Sequence, residues 1–159
     1  MCSLVGLFCL SVGLFYLPQP SAQVLTAQAD HYFANNQSEL AASTYAKTKT
    51  HSFEQVTLKL LALGEKEAVK RYLSDKLDHM RSTDRAQLTM VCSWLTEMYL
   101  HQLNAASAAD RADVFQQVLE ELRHFLQDHV KNLDPPTTYQ LMLHHGRMEV
   151  VCVCMCVCV

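Results

Sequence analysis

In the run Asp84-Arg85-Ala86-Gln87-Leu88-Thr89-Met90-Val91-Cys92-Ser93-Trp94-Leu95-Thr96-Glu97-Met98-Tyr99-Leu100-His101-Gln102-Leu103-Asn104 there is neither Gly nor Pro. Leu88, Val91, Cys92, Leu95, Met98, Tyr99 and Leu103 recur there at intervals of three and four, which draws one broad apolar stripe along an α-helix. The pattern predicts a central packing helix. Its neighbours must then bury their own apolar faces against it.

Working outward, the same period recurs with short polar joints. Ala109 to Leu133 predicts a second long helix, with Val114, Val118, Leu122, Phe125, Leu126 and Val130 apolar and Asp110, Glu120, Glu121 and Asp128 exposed. Pro135 and Pro136 end it and can start another helix through Tyr139, Leu141, Met142 and Leu143 to Gly146. Upstream, Glu65 to Met80 turns Ala68, Val69, Tyr72, Leu73 and Leu77 inward. Ser52 caps a segment in which Phe53, Val56, Leu60 and Leu61 recur until Gly64 closes it. Val24 to Asn35 is a further helix, and Ser38 is the expected N-cap of Glu39 to Lys47, where Leu40, Ala41, Tyr45 and the small residues Ala42 and Ala46 give a close-packing face. Seven helices joined by short loops predict an all-α fold in which antiparallel helix pairs form an α-solenoid fragment.

Composition agrees with this class. In 159 residues half are hydrophobic and 18% charged, with four Gly and four Pro, which is too apolar for disorder and too poor in turn formers for a many-stranded sandwich. The formal charge of −3 offers no polyanion-binding surface, so nucleic acid is not an expected partner.

The chain divides into residues 1–23, an apolar leader; 24–150, the solenoid segment; and 151–159, a Val-Cys tail. Cys2 to Leu17 is an uncharged apolar run, shorter than the roughly 20 residues of a membrane-spanning helix. Its length suits a secretory signal. The lack of a basic residue ahead of it, and Pro20 near the cleavage point after Ala22, suit a non-native leader instead. The tail Val151-Cys152-Val153-Cys154-Met155-Cys156-Val157-Cys158-Val159 alternates strictly, as translation of a TG repeat would. An extended chain gathers no four sulfurs around an ion, so the tail is a poor zinc or copper(I) site. Only Cys2, Cys9 and Cys92 remain, which implies no disulfide framework.

Candidate chemistry is sparse, and no catalytic, cofactor-binding or metal-ligating residue is predicted. His124 and His129 are five apart and His144 and His145 adjacent, so neither couple has the i, i+4 spacing that sets two imidazoles on one helical face. His101, His124 and His129 are expected as surface or boundary residues of long helices. Glu120 and Glu121 point roughly 100° apart on a helix and are expected as part of an exposed acidic face. Cys92 should pack as a small hydrophobe with an unreactive thiol, and Trp94, Tyr99, Tyr32, Phe33 and Phe125 as core aromatics.

Several strings carry a family resemblance. Ala29-Asp30-His31-Tyr32-Phe33, Glu39-Leu40-Ala41-Ala42-Ser43-Thr44-Tyr45-Ala46-Lys47-Thr48, Phe53-Glu54-Gln55-Val56-Thr57-Leu58-Lys59, Tyr72-Leu73-Ser74-Asp75-Lys76-Leu77 and Trp94-Leu95-Thr96-Glu97-Met98-Tyr99-Leu100 occur in order. Together they resemble the helical region of the vacuolar protein sorting-associated protein 18 family, from about Leu25 to Val150. The resemblance implies a scaffold, not an enzyme. It would be a subunit of the class C core of the HOPS and CORVET tethering complexes, which join endosomal, lysosomal or vacuolar membranes before fusion. Implied partners are the other class C subunits and, through them, SNAREs and Rab GTPases, with no small-molecule substrate. The implied location is cytoplasmic and peripheral on late endosome and lysosome membranes.

The family has a propeller ahead of the solenoid and a RING-type zinc finger after it. Neither matches a segment of this sequence, so a truncated member with a foreign leader and a repeat-derived tail is expected, and no zinc role carries over to any residue. Two other classes remain open: a secreted or lumenal helical protein if the leader works as a signal, and a thiol-rich metal binder if the tail is functional.

Overall fold

The structure, a computed structural model, describes residues 21–147 and Val150. Most of the leader and the whole Val-Cys tail lie outside the described residues. Among the described residues there are seven α-helices and no strand: α1 (Ala22–Ala34), α2 (Ser38–Ala46), α3 (Phe53–Leu61), α4 (Lys66–Leu77), α5 (Arg85–Ala108), α6 (Ala112–Asp128) and α7 (Pro135–His144). Neighbours in sequence pair as α1 with α2, α3 with α4 and α5 with α6, while α2 also packs on α4 and α5 on α7. This is the helix-pair stacking expected of an α-solenoid.

Local chemistry explains the boundaries. Ser52 accepts from the Gln55 amide while the Gln55 side chain accepts from the Ser52 amide, a complete capping box at the start of α3. Asp134 caps α7, accepting from the Thr137 amide at 3.1 Å, with Pro135 and Pro136 in the first turn. Gly64 and Gly146 follow α3 and α7 with φ of 74° and 67°, the left-handed conformation that glycine adopts without a Cβ penalty.

Three details depart from the sequence expectation. Ser38 is the first residue of α2 and not its cap; it is nearly buried and donates its hydroxyl to Glu65, so a tertiary bond takes the group that would have capped. The predicted single helix from Ala109 to Leu133 is shorter. Asp110 takes a left-handed φ of 52°, α6 begins at Ala112, and the chain tightens after Asp128 into a 3-10 turn at Val130–Asn132. Leu133 then leaves extended and enters the core, which an unbroken helix would not allow. Conversely, α5 runs past Asn104 through Ala105, Ala106 and Ala108, residues of high helix propensity.

The core is continuous from Ala29 to Val150. Leu88, Val91, Cys92, Leu95 and Leu103 of the predicted stripe are all buried, and Met98 and Tyr99 pack against them. At the other end Ala29, Ala41, Ala42, Tyr45 and Ala46 are essentially inaccessible, so α1, α2 and α4 meet mainly through small side chains, while Leu40, expected on this face, is exposed on the far side of α2 from Ala42.

Candidate interaction surface

Two polar ties fix the helix pairs and frame the accessible faces. Lys59 of α3 donates to Asp30 of α1 at 2.7 Å and to the Tyr45 hydroxyl of α2 at 2.6 Å, and Tyr45 in turn donates to Asp30. The hydrogen bonds from Lys59 and Tyr45 hold the Asp30 carboxyl below its ordinary range. Burial opposes the charge on Lys59, but its bonds to Asp30 and Tyr45 outweigh that and raise its pKa. Lys59 also lies 4.5 Å from the Phe33 ring centroid, a cation–π contact.

The second tie joins α4, α5 and α6. Lys70 sits 3.9 Å from the Tyr99 ring centroid, donates to Gln102 at 2.7 Å and lies 3.7 Å from Glu121. Burial lowers its pKa more than the Glu121 and Glu67 carboxylates raise it. Gln102 completes the bridge by donating to Glu67 at 2.7 Å.

Between α4 and α5 lies a groove of 420 Å³. Leu61, Val69, Trp94, Met98 and Ala105 make it apolar, and Lys66, Glu67, Glu97, His101 and Gln102 supply its polar lining. Leu61 is 44% exposed and Met90, one turn before Trp94, is 46% exposed, so the apolar face continues onto open surface. An apolar floor with a charged rim is the makeup of a protein-contact surface.

The residues singled out in the sequence fall largely as expected. Cys92 is buried, and burial pushes its thiol up to about 11, so it is protonated at neutral pH. Tyr32, Phe33, Trp94, Tyr99 and Phe125 all pack against the core, although Trp94 and Met98 also face the groove. Glu120 is engaged by Arg123 at 3.3 Å and by His124 at 3.4 Å, and Glu121 accepts from Gln117. These are surface helix pairs.

One cluster was not foreseen. Glu97 and His101 are four apart on α5, and His145 at the end of α7 comes to them, with ligating atoms all within 4.8 Å of one another. The His101 and His145 rings meet edge to face at 4.7 Å, and Asn104 lies 3.1 Å from His145 Nδ1. Burial, helped by the charges of His101 and His144, lowers the pKa of His145. The local signal was the Glu97–His101 spacing; the third member arrives only through tertiary packing of α7 on α5.

Stacked helix pairs, with a groove between two of them, define the class as an α-solenoid segment. The chain belongs to the VPS18 family: the family model described as "VPS18, alpha-solenoid domain, first half" matches residues 16–156. It is similar to vacuolar sorting protein 18 of Arabidopsis thaliana, with 36% identity over 139 residues, 83% of this chain and 14% of that relative. The vacuolar protein sorting-associated protein 18 homolog of Danio rerio is 32% identical over 138 residues, 83% of this chain and 14% of the relative. The vacuolar membrane protein pep3 of Schizosaccharomyces pombe is 30% identical over 134 residues, 79% of this chain and 15% of the relative. The chain thus spans about one seventh of the length of these relatives. No helix among the described residues is long and apolar enough to cross a membrane.

Proposed function

We propose that this chain is a scaffold segment of a class C core subunit of the HOPS and CORVET tethering complexes, acting in transport between endosomes and the lysosome or vacuole and in membrane fusion. It works by contact and not by catalysis, on the cytoplasmic side of late endosomal and lysosomal membranes, held there through its complex. Its direct partners are other class C subunits, and it reaches SNAREs and Rab GTPases through them.

The observation that carries this is the family match over residues 16–156, joined to a groove whose Trp94, Met98 and Leu61 are the side chains of a contact surface. The test is to mix the purified full chain with purified class C subunits and to follow the tagged chain in cells. A one-to-one complex, weakened about tenfold or more by the double substitution Trp94→Ala and Met98→Ala, is expected. Association that ignores this substitution would remove the groove from the interface. A chain with a helical circular-dichroism spectrum that binds no subunit, or one protected from protease inside membrane vesicles, would overturn the assignment.

A further inference from the structure

Glu97, His101 and His145 stand out because three side chains of metal-ligating type converge where α7 packs on α5. Glu97 and His101 are on one face of α5 at i, i+4, and His145 follows the last turn of α7. One carboxylate oxygen and one ring nitrogen from each histidine lie within 4.8 Å of one another. In a tetrahedral zinc site with bonds of about 2.0 to 2.2 Å, ligand atoms stand roughly 3.3 Å apart. Closing that difference asks each ligand atom to move by about 1 Å.

A second observation concerns the His145 ring itself. His145 Nε2 is shut off from solvent and has no hydrogen-bond partner among the described residues, an arrangement that costs stability unless something occupies it. The other ring nitrogen is fixed by a local chain. Arg147 donates to Asn104 Oδ1 at 2.7 Å, which turns the Asn104 amide nitrogen toward His145 Nδ1. Arg147 itself lies 5.1 Å from the Phe115 ring centroid.

We propose that Glu97, His101 and His145 form a binding site for a divalent transition-metal ion of the zinc class, a staple between α5 and the end of α7. Two imidazoles and a carboxylate are three protein ligands of the type that leave a fourth position to water. Glu97 and His101 also line the groove, so the ion would rigidify one end of the contact surface. Binding through His145 Nε2 puts the proton on Nδ1, so Asn104 must reverse its amide to accept it and gives up the bond it accepts from Arg147. This site is independent of the tethering assignment and of the cysteines in the tail.

The test is calorimetric titration of zinc ion into the full chain carrying Cys152→Ser, Cys154→Ser, Cys156→Ser and Cys158→Ser, so that thiolates do not compete. One saturable equivalent is expected, with a rise in melting temperature on saturation. His101→Gln and His145→Gln should each weaken binding about tenfold or more while keeping the helical spectrum, and His124→Gln should not. Asn104→Asp supplies an acceptor to His145 Nδ1–H and to Arg147 together and should tighten binding. Cobalt(II) in place of zinc should give weak visible bands without thiolate charge transfer. Absence of saturable binding, or binding that His101→Gln and His145→Gln leave unchanged, would overturn the proposal.

Discussion

The two ends of this solenoid segment solve the same packing problem differently. Around α2, Ala29, Ala41, Ala42 and Ala46 are fully buried, so backbones approach closely and a polar knot of Asp30, Tyr45 and Lys59 locks the approach. Around α5 and α6, Leu95, Leu100, Leu103, Leu122 and Leu126 fill the space with bulk. Small residues make an interface intolerant of added volume, whereas large ones make it intolerant of lost volume. One fold therefore has two opposite sensitivities.

The largest effect should come from Leu122→Ala, which leaves a cavity in the bulky half and should cost about 2 to 5 kcal/mol in a urea unfolding experiment. The complementary change, Ala42→Leu, adds volume where the helices are closest and should cost about 1 to 3 kcal/mol. If Ala42→Leu proves neutral, the contrast between the halves fails. Tyr72→Phe should be neutral or stabilising by up to about 1 kcal/mol. The Tyr72 hydroxyl is buried with no partner among the described residues, and removing it relieves a desolvation cost.

The smallest effect concerns the polar knot. Its Asp30 has a pKa lowered on folding, so its contribution is present above the unfolded value and is lost as pH falls through the folded one. The Asp30 side chain is 48% exposed, and solvent screening should hold the effect to about 1 kcal/mol or less. Denaturant midpoints from about pH 6 to about pH 3 should fall less steeply in Asp30→Asn than in the parent chain. An identical pH slope would show that the knot orders α1 to α3 without stabilising them.

Helix existence was legible because it depends on spacing within a few residues. The stripe from Leu88 to Leu103 and the cap at Ser52 are local signals, and both hold in the structure. The failures are also instructive. Ser38 has a capping residue's chemistry, yet Glu65 claims its hydroxyl from another helix. The break after Asp128 has no Gly or Pro to announce it and follows from Leu133 entering the core.

The cluster on α5 shows the same limit. Glu97 and His101 could be paired from their spacing, but an adjacent His144-His145 pair says nothing about which ring turns inward. In the structure His145 does, and His144 stays on the surface.

The sequence alone determined an all-α chain, its helix order, its alanine-lined and leucine-lined faces, and the family it resembles, because each is written in side-chain size and period. Tertiary structure decided which polar groups meet. Asp30 finds Lys59, Lys70 finds Gln102, and His145 finds His101 only after helices distant in sequence have packed, and the apolar burial that drives this packing is non-directional.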